Sequence, residues 1–357
     1  MSKQLNIPHL QQNAIELLKK LIAIPSLSKQ EDKTAKVIFE FLFNSDVNAN
    51  QLLNNVWAKN KFFDPSKKTI LLNSHHDTVA PNKNYTLNPF EAIIENAKLF
   101  GLGSNDAGGC LVALLAAFLF FYEKENLKYN LIFAASAEEE ISGKNGIELL
   151  LPELGEIDFG IVGEPTKMQM AIAEKGLLVL DCSVKGKAGH AARQEGENAI
   201  YKTLDIINWF KHFEFEKVSP LLGKVLMNVT MINAGIAHNM IPEMCNFTVD
   251  IRLNELYTHQ EVIEIIAQQI DCEIVPRSTR IKSSFISSKH PIVQSGIKLN
   301  LNSFGSPTTS DKALMNFPTL KIGPGDSARS HTADEYIYLN EIESGIELYI
   351  KLLENIL

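Results

Sequence analysis

Thr69-Ile70-Leu71-Leu72-Asn73-Ser74-His75-His76-Asp77-Thr78-Val79 is the stretch on which the fold of this chain turns. Its first four residues form an apolar run of the right length for a buried strand. The run ends in two histidines and an aspartate, which a buried strand does not need at its C-terminal tip. A metal site does need them: imidazole is a good zinc ligand, and a nearby carboxylate can fix its tautomer and orientation. A polar strand end facing water is the competing reading, and these residues alone leave both open.

Outward from this stretch, residues 14–22 and 32–43 read as helices, with Pro25 just beyond the first. Residues 56–59 and 69–73 read as strands. An apolar helix starts after Gly108-Gly109, and residues 131–136 and 159–162 read as buried strands. Short apolar strands alternating with helices predict an α/β sheet covered on both faces. The style changes near Glu174. Residues 178–185 alternate between apolar and polar, and an amphipathic helix follows over 199–210. Residues 247–251 alternate again, and 262–270 reads as a helix. Strand, helix, strand, strand, helix, strand describes an α+β sandwich of ferredoxin-like type. The buried style returns after His290, with a strand at 319–322 and a terminal helix at 341–353. The expected organisation is residues 1–173 and 285–357 as one domain, with residues 174–284 inserted into it.

The chain has 357 residues, 45% hydrophobic and 21% charged, ordinary values for a soluble globular protein with a sizeable core. A formal net charge of -8 and no lysine/arginine-rich block argue against nucleic acid as a partner. The longest apolar run, residues 110–121, is too short to span a bilayer, so no membrane partner is expected. Cys110, Cys182, Cys245 and Cys272 are scattered, with no Cys-x-x-Cys pair. Reduced thiols, and an N-terminus that leads into an amphipathic segment instead of a signal-peptide core, make the cytoplasm the expected compartment.

Four further groups stand at the ends of apolar elements. Asp106 precedes the apolar helix, Glu138-Glu139-Glu140 follows the 131–136 strand, Glu164 follows Ile161-Val162-Gly163, and His331 lies in Ser330-His331-Thr332. In an open α/β sheet, ligands bind beyond the carboxyl ends of the strands. Two histidines and several carboxylates without cysteine suit zinc or another divalent metal in a catalytic setting. Asp106, Glu140 and Glu164 would nearly neutralise two such ions, which together activate water and hold a developing oxyanion. Each residue also has an ordinary reading: Asp106 as a helix cap, the glutamate run as a solvated loop, Glu164 as a turn cap, His331 as a surface residue. Their joint occurrence in this order favours the metal site.

The chain resembles the M20 family of zinc metallohydrolases. The matching stretches are Ser74-His75-His76-Asp77-Thr78-Val79, Gly101-Leu102-Gly103-Ser104-Asn105-Asp106-Ala107-Gly108-Gly109, residues 137–143, Val162-Gly163-Glu164-Pro165-Thr166, Gly186-Lys187-Ala188-Gly189-His190-Ala191-Ala192, Asn239-Met240-Ile241-Pro242 and Ser330-His331-Thr332. The resemblance implies a zinc-aminopeptidase-like catalytic domain, a mixed central sheet with helices on both faces, and an inserted ferredoxin-like dimerisation or lid domain. It implies that His75 and Glu164 hold one metal, that Glu140 and His331 hold the other, and that Asp106 bridges them with a cis peptide to Ala107. Asp77 would accept the free imidazole N–H of His75, and Glu139 would be the general base. His76 is assigned no function. His190 would reach the active site of a partner subunit in a homodimer and hydrogen-bond the substrate carbonyl. Asn239 and Arg252 would contact a substrate carboxylate.

Lys321-Ile322-Gly323-Pro324-Gly325-Asp326 and Thr309-Ser310-Asp311 are similar to the acetylornithine deacetylase group, which puts Ser310 near the substrate. The Gly-rich turn would carry backbone N–H groups into the site. The implied reaction is hydrolysis of an N-acyl-α-amino acid, N-acetylornithine first, in arginine biosynthesis, with two Zn2+ or Co2+ ions. Variants of the same resemblance are N-acetylcitrulline, N-succinyl amino acids, lysine-pathway intermediates, and a dipeptidase or carboxypeptidase. A catalytically silent binding protein on this fold would be marked by loss of a ligand or of the base. His75, Asp106, Glu139, Glu140, Glu164 and His331 are all present.

Overall fold

The Thr69–His75 strand is buried along its whole length and has a parallel neighbour on each side. This computed structural model describes residues 6–193 and 195–357. Asn130–Ser136 lies on one side, in register from Thr69 opposite Asn130 to His75 opposite Ser136. Phe159–Val162 lies on the other, followed by Thr319–Lys321, again parallel. Antiparallel strands extend the sheet: Asn55–Lys59 and Ala49–Leu52 beyond Asn130–Ser136, and Met170–Glu174 beyond Thr319–Lys321, with Ser284–Phe285 and Ser303–Ser306 pairing onto Met170–Glu174. The sheet is mixed, and its parallel centre points all the C-terminal strand ends the same way.

Side chains on a strand alternate between faces, so adjacent residues meet different helices. Leu71, Ile132 and Ala134 pack with Ile147, Leu150 and Leu154 of the Ile147–Leu154 helix. Phe133 meets Phe118 of the Gly109–Tyr122 helix, with ring centroids 5.9 Å apart. Helices thus cover both faces, as an α/β sheet of this kind requires. The Gly109–Tyr122 helix is buried everywhere except Phe120, which explains why it is apolar all round. Ser104–Tyr122 is 19 residues long and apolar enough to cross a membrane by length and composition, yet 89% of it is buried inside the protein. It is the core helix of this sheet, and its first turn is broken at Asp106 and Ala107, where φ and ψ are not helical.

By backbone contacts the chain divides into two units. One runs to Ile172 and takes in Ile286–Phe304 and Ser310–Leu357; the other is Ala173–Phe285 with Gly305–Thr309. The return of Gly305–Thr309 to the second unit is a feature that a single insertion does not describe. In that unit the strand order is Leu226–Ala234, Met244–Leu253, Gly176–Lys185, Glu273–Pro276, all antiparallel. The helices Ala199–His212 and His259–Ala267 supply the connections between strands. This is the ferredoxin-like arrangement. Its core is the inward face of Gly176–Lys185, namely Leu178, Leu180, Cys182 and Val184, packed with Phe210, Phe247, Val249, Val262 and Ile266.

Candidate active site

His75 is the last residue of the central strand and is 1% exposed. Its Nδ1 lies 3.0 Å from the Asp77 carbonyl oxygen and 3.4 Å from Asp77 Oδ1. Those acceptors turn Nε2 toward Asp106 Oδ1 at 3.3 Å and Glu164 Oε1 at 3.9 Å. Burial opposes charge on this ring, but the bonds to Asp106 and Asp77 and the charges of Glu139 and Glu164 raise its pKa well above the ordinary value. On the other side, His331 Nε2 lies 3.1 Å from Glu140 Oε2 and 3.7 Å from Asp106 Oδ2. The Glu140 hydrogen bond, working against burial, lifts the His331 pKa to about 9. Asp106 therefore faces both imidazoles, one with each oxygen. The Asp106–Ala107 peptide is cis.

His75, Asp106 and Glu140 each place a donor atom within 4.8 Å of the others, and so do His75, Glu139 and Glu164. Four carboxylates around two imidazoles leave an excess of negative charge that protons or cations must balance. Nitrogen and oxygen donors in this ratio fit divalent ions of the zinc type. Burial raises the pKa of Glu139 well above the usual carboxylate range, and Glu164, Asp311 and Glu140 add to it. Such a group holds a proton readily, as an acid–base residue should.

The loops are held by buried carboxylates. Asp77 Oδ1 accepts from the Glu139 amide at 3.0 Å, and Oδ2 accepts from the Glu140 amide at 3.1 Å and the Ser28 hydroxyl at 2.7 Å. Asp77 thus grips the glutamate loop as well as facing the His75 ring. Glu31, fully buried, accepts from the amides of Lys29 and Glu138 and from Asn54 Nδ2. Glu335, 2% exposed, accepts from the amides of Gly103, Asn105 and Asp106. Neither Glu31 nor Glu335 was singled out from sequence; a lone buried glutamate has no spacing signal. Asp311, next to Ser310, likewise carries no spacing signal. It accepts from Asn73 Nδ2 at 2.8 Å and Ser136 Oγ at 2.6 Å, and burial pushes its pKa up to about 6 against those bonds.

His76 points elsewhere. Its Nε2–H donates to the Asn54 carbonyl at 2.8 Å, and its Nδ1 meets the Thr34 hydroxyl at 2.9 Å. It joins the Asp32–Asn44 helix to the turn before the Asn55–Lys59 strand, and both of its ring hydrogen bonds go there. Ser310 spends its hydroxyl as an N-cap, accepting from the Lys312 amide. The Gly-rich turn spends one of its amides within the fold. The Gly323 amide donates to Thr166 Oγ1, and the Gly323 and Gly325 carbonyls accept from Thr166, Lys167 and Met168. The turn braces the segment after Glu164, and a side chain at Gly323 would strike the Glu164 carbonyl at 2.5 Å.

The remaining candidates lie in the second unit. His190 is exposed, on a two-stranded ribbon where it pairs with Met240, and the Ala191 amide donates to the Asn239 carbonyl. His190 and Asn239 are therefore neighbours. Arg252 does not present a free fork: its Nε and a terminal nitrogen donate to both carboxylate oxygens of Asp250, at 2.8 and 3.0 Å. Residues two apart on a strand share a face, which is why this pair forms.

Residues 71–355 match the model for peptidase family M20/M25/M40. An acetylornithine deacetylase of Buchnera aphidicola subsp. Schizaphis graminum is 30% identical, over 96% of this chain and 97% of its own. A succinyl-diaminopimelate desuccinylase of Buchnera aphidicola subsp. Cinara cedri is 27% identical, over 97% and 99%. Among solved structures, an M20 family metallo-carboxypeptidase of Sulfolobus solfataricus superposes with a TM-score of 0.76 at 18% identity, covering 96% of this chain and 98% of that one. The chain belongs to peptidase family M20/M25/M40 and is a metal-dependent amide hydrolase.

Proposed function

We propose that the chain is a two-metal amidohydrolase of the cytoplasm that removes the N-acyl group from an N-acyl-α-amino acid. N-acetylornithine is the expected substrate and arginine biosynthesis the expected setting. The observation that carries this reading is the division of the donors. His75 stands with Glu164, His331 stands with Glu140, and Asp106 reaches both imidazoles. Zn2+ would take these two sets, with Co2+ as a working substitute, and would share Asp106. Bound there, the ions would supply Lewis acidity that acidifies water and draws charge from the amide oxygen. The names of the two relatives support an N-acyl amino acid as the substrate class.

Glu139 takes a proton from the attacking water and delivers it to the leaving amine nitrogen. Acetate and the free amino acid leave. Asp77 keeps Glu139 and Glu140 in place through their amides and keeps the His75 ring turned. His190 donates to the substrate carbonyl oxygen, steadying the charge that develops there. Asn239, Ser310 and Arg252 take the substrate's other groups, Arg252 exchanging Asp250 for the substrate carboxylate. A homodimer through residues 174–284 is supported by the Leu226–Ala234 strand, which lies at a sheet edge and exposes Met231 by 62% and Ile232 by 56%.

A hydrolysis panel tests the substrate. It compares N-acetylornithine, N-acetylcitrulline, their N-succinyl counterparts, succinyl-diaminopimelate and simple dipeptides, each with zinc and with cobalt. The highest kcat/KM is expected for N-acetylornithine. Equal rates on dipeptides would overturn the biosynthetic assignment.

A further inference from the structure

We propose that Glu335 is a positioning residue that sets where Asp106 stands between the two imidazoles. The inference rests on the two-metal reading above. Backbone bonds run within the turn from Gly101 to Gly109, one of them from the Gly109 amide to the Ser104 carbonyl. Ser104 donates to the Gly101 carbonyl and Gly108 to the Gly103 carbonyl. The amides of Gly103, Asn105 and Asp106 turn instead to one side chain. Glu335 Oε1 accepts from Asn105 at 2.8 Å and Asp106 at 2.9 Å, and Oε2 accepts from Gly103 at 3.2 Å. The Glu335 carbonyl also accepts from the Gly101 amide at 3.0 Å.

Glu335 follows His331 by four residues. One residue therefore ties the turn that carries Asp106 to the segment that carries His331. The two neighbours of this contact reinforce it. Asn105 exchanges hydrogen bonds with the backbone of Asp326, and Asp334 accepts from the amides of Thr86 and Leu87. An ion shared by donors from two loops requires a fixed distance between those loops. Partners of this kind behind a ligand commonly change metal affinity or activity by roughly ten- to a hundred-fold.

The test uses full-length wild type and Glu335→Gln, both stripped of metal and titrated with Co2+. Heat and visible absorption are recorded, and melting of the metal-free chains is measured alongside. Glutamine keeps the size and one acceptor, but turns an N–H against Gly103. The wild type should take up two ions. The variant should bind one of them about ten- to a hundred-fold more weakly, with altered cobalt absorption. Its metal-free melting temperature should change little, and turnover should lose kcat with KM nearly unchanged. Glu335→Asp keeps the charge and shortens the reach, so it should shift affinity and spectrum in the same direction. It also provides the reading if the glutamine variant does not fold. A folded variant with wild-type affinity and spectrum would overturn the inference alone. So would failure of both variants to fold, which would mark Glu335 as a folding residue. A wild type that binds no Co2+ would overturn the two-metal reading and this inference with it.

Discussion

A carboxylate buried behind a candidate ligand needs donors, and in this site most of the donors are backbone amides. Asp77 takes those of Glu139 and Glu140, Glu31 that of Glu138, and Glu335 those of the Asp106 turn. The bonds to Glu139, Glu140 and Asp106 fix the start of side chains that face the cluster. Glu139→Gln should therefore leave metal uptake intact and lower kcat by about a hundred- to ten-thousand-fold, the usual worth of an acid–base group. Metal analysis beside steady-state kinetics checks it, and near-normal turnover would remove Glu139 from the role of base. His76 makes a separate prediction. Burial, opposed by its bond to Asn54, lowers its pKa from 6.5 to about 4. The unfolded chain binds that proton more readily. Its contribution to stability is thus present above pH 6.5 and is lost as pH falls to about 4, on the order of 3 kcal/mol. Urea unfolding at about pH 7 and about pH 4.5 should show a shallower loss in His76→Asn than in wild type. Equal pH slopes would contradict a neutral buried ring.

At the scale of elements, the core helix Gly109–Tyr122 is buried almost throughout. Phe118 is fully buried between Phe133 and Tyr122, with centroids 5.9 and 5.7 Å away. Phe118→Ala should cost about 3–5 kcal/mol in a denaturant titration, with the ligand cluster unchanged in composition. A loss under about 1 kcal/mol would mean that this helix is not the core. Elements with a strong pattern were legible in the sequence. The Phe159–Val162 strand was read to the residue, and Asp32–Asn44 to within one. The first helix starts earlier than apolar spacing suggests, because Asn6 caps it and Pro8 opens it. Met170–Glu174 is buried on both faces and offers no alternation to see. Ile93–Glu95, Lys98–Phe100 and Tyr336–Tyr338 pair into a small sheet, but three residues are too few to show a period. The candidate ligands His75, Asp106, Glu140 and Glu164 were legible because each stands near a change from apolar to polar, whereas His331 lies in a polar stretch and was legible through its motif. The groups behind them were not, since Glu31, Asp311 and Glu335 work through contacts between distant segments.

For the whole molecule, the candidate residues fall in two units. The first carries the donor cluster; the second carries Arg252 on its ferredoxin-like sheet and His190 and Asn239 at a separate two-stranded ribbon. If His190 serves catalysis and not folding, His190→Ala should lower kcat by about a hundred-fold or more while metal content and melting temperature stay as in wild type. An unchanged kcat would assign that ribbon another purpose. The central claim, that divalent metal at His75, Asp106, Glu140, Glu164 and His331 enables amide hydrolysis, has a direct measurement. The chain is stripped with a chelator, and N-acetylornithine turnover is followed as Zn2+ is added back in counted equivalents. The account predicts no turnover in the stripped chain and recovery that reaches a plateau by about two ions per chain. Full turnover after stripping, or none at any zinc level on any N-acyl amino acid tried, would contradict it.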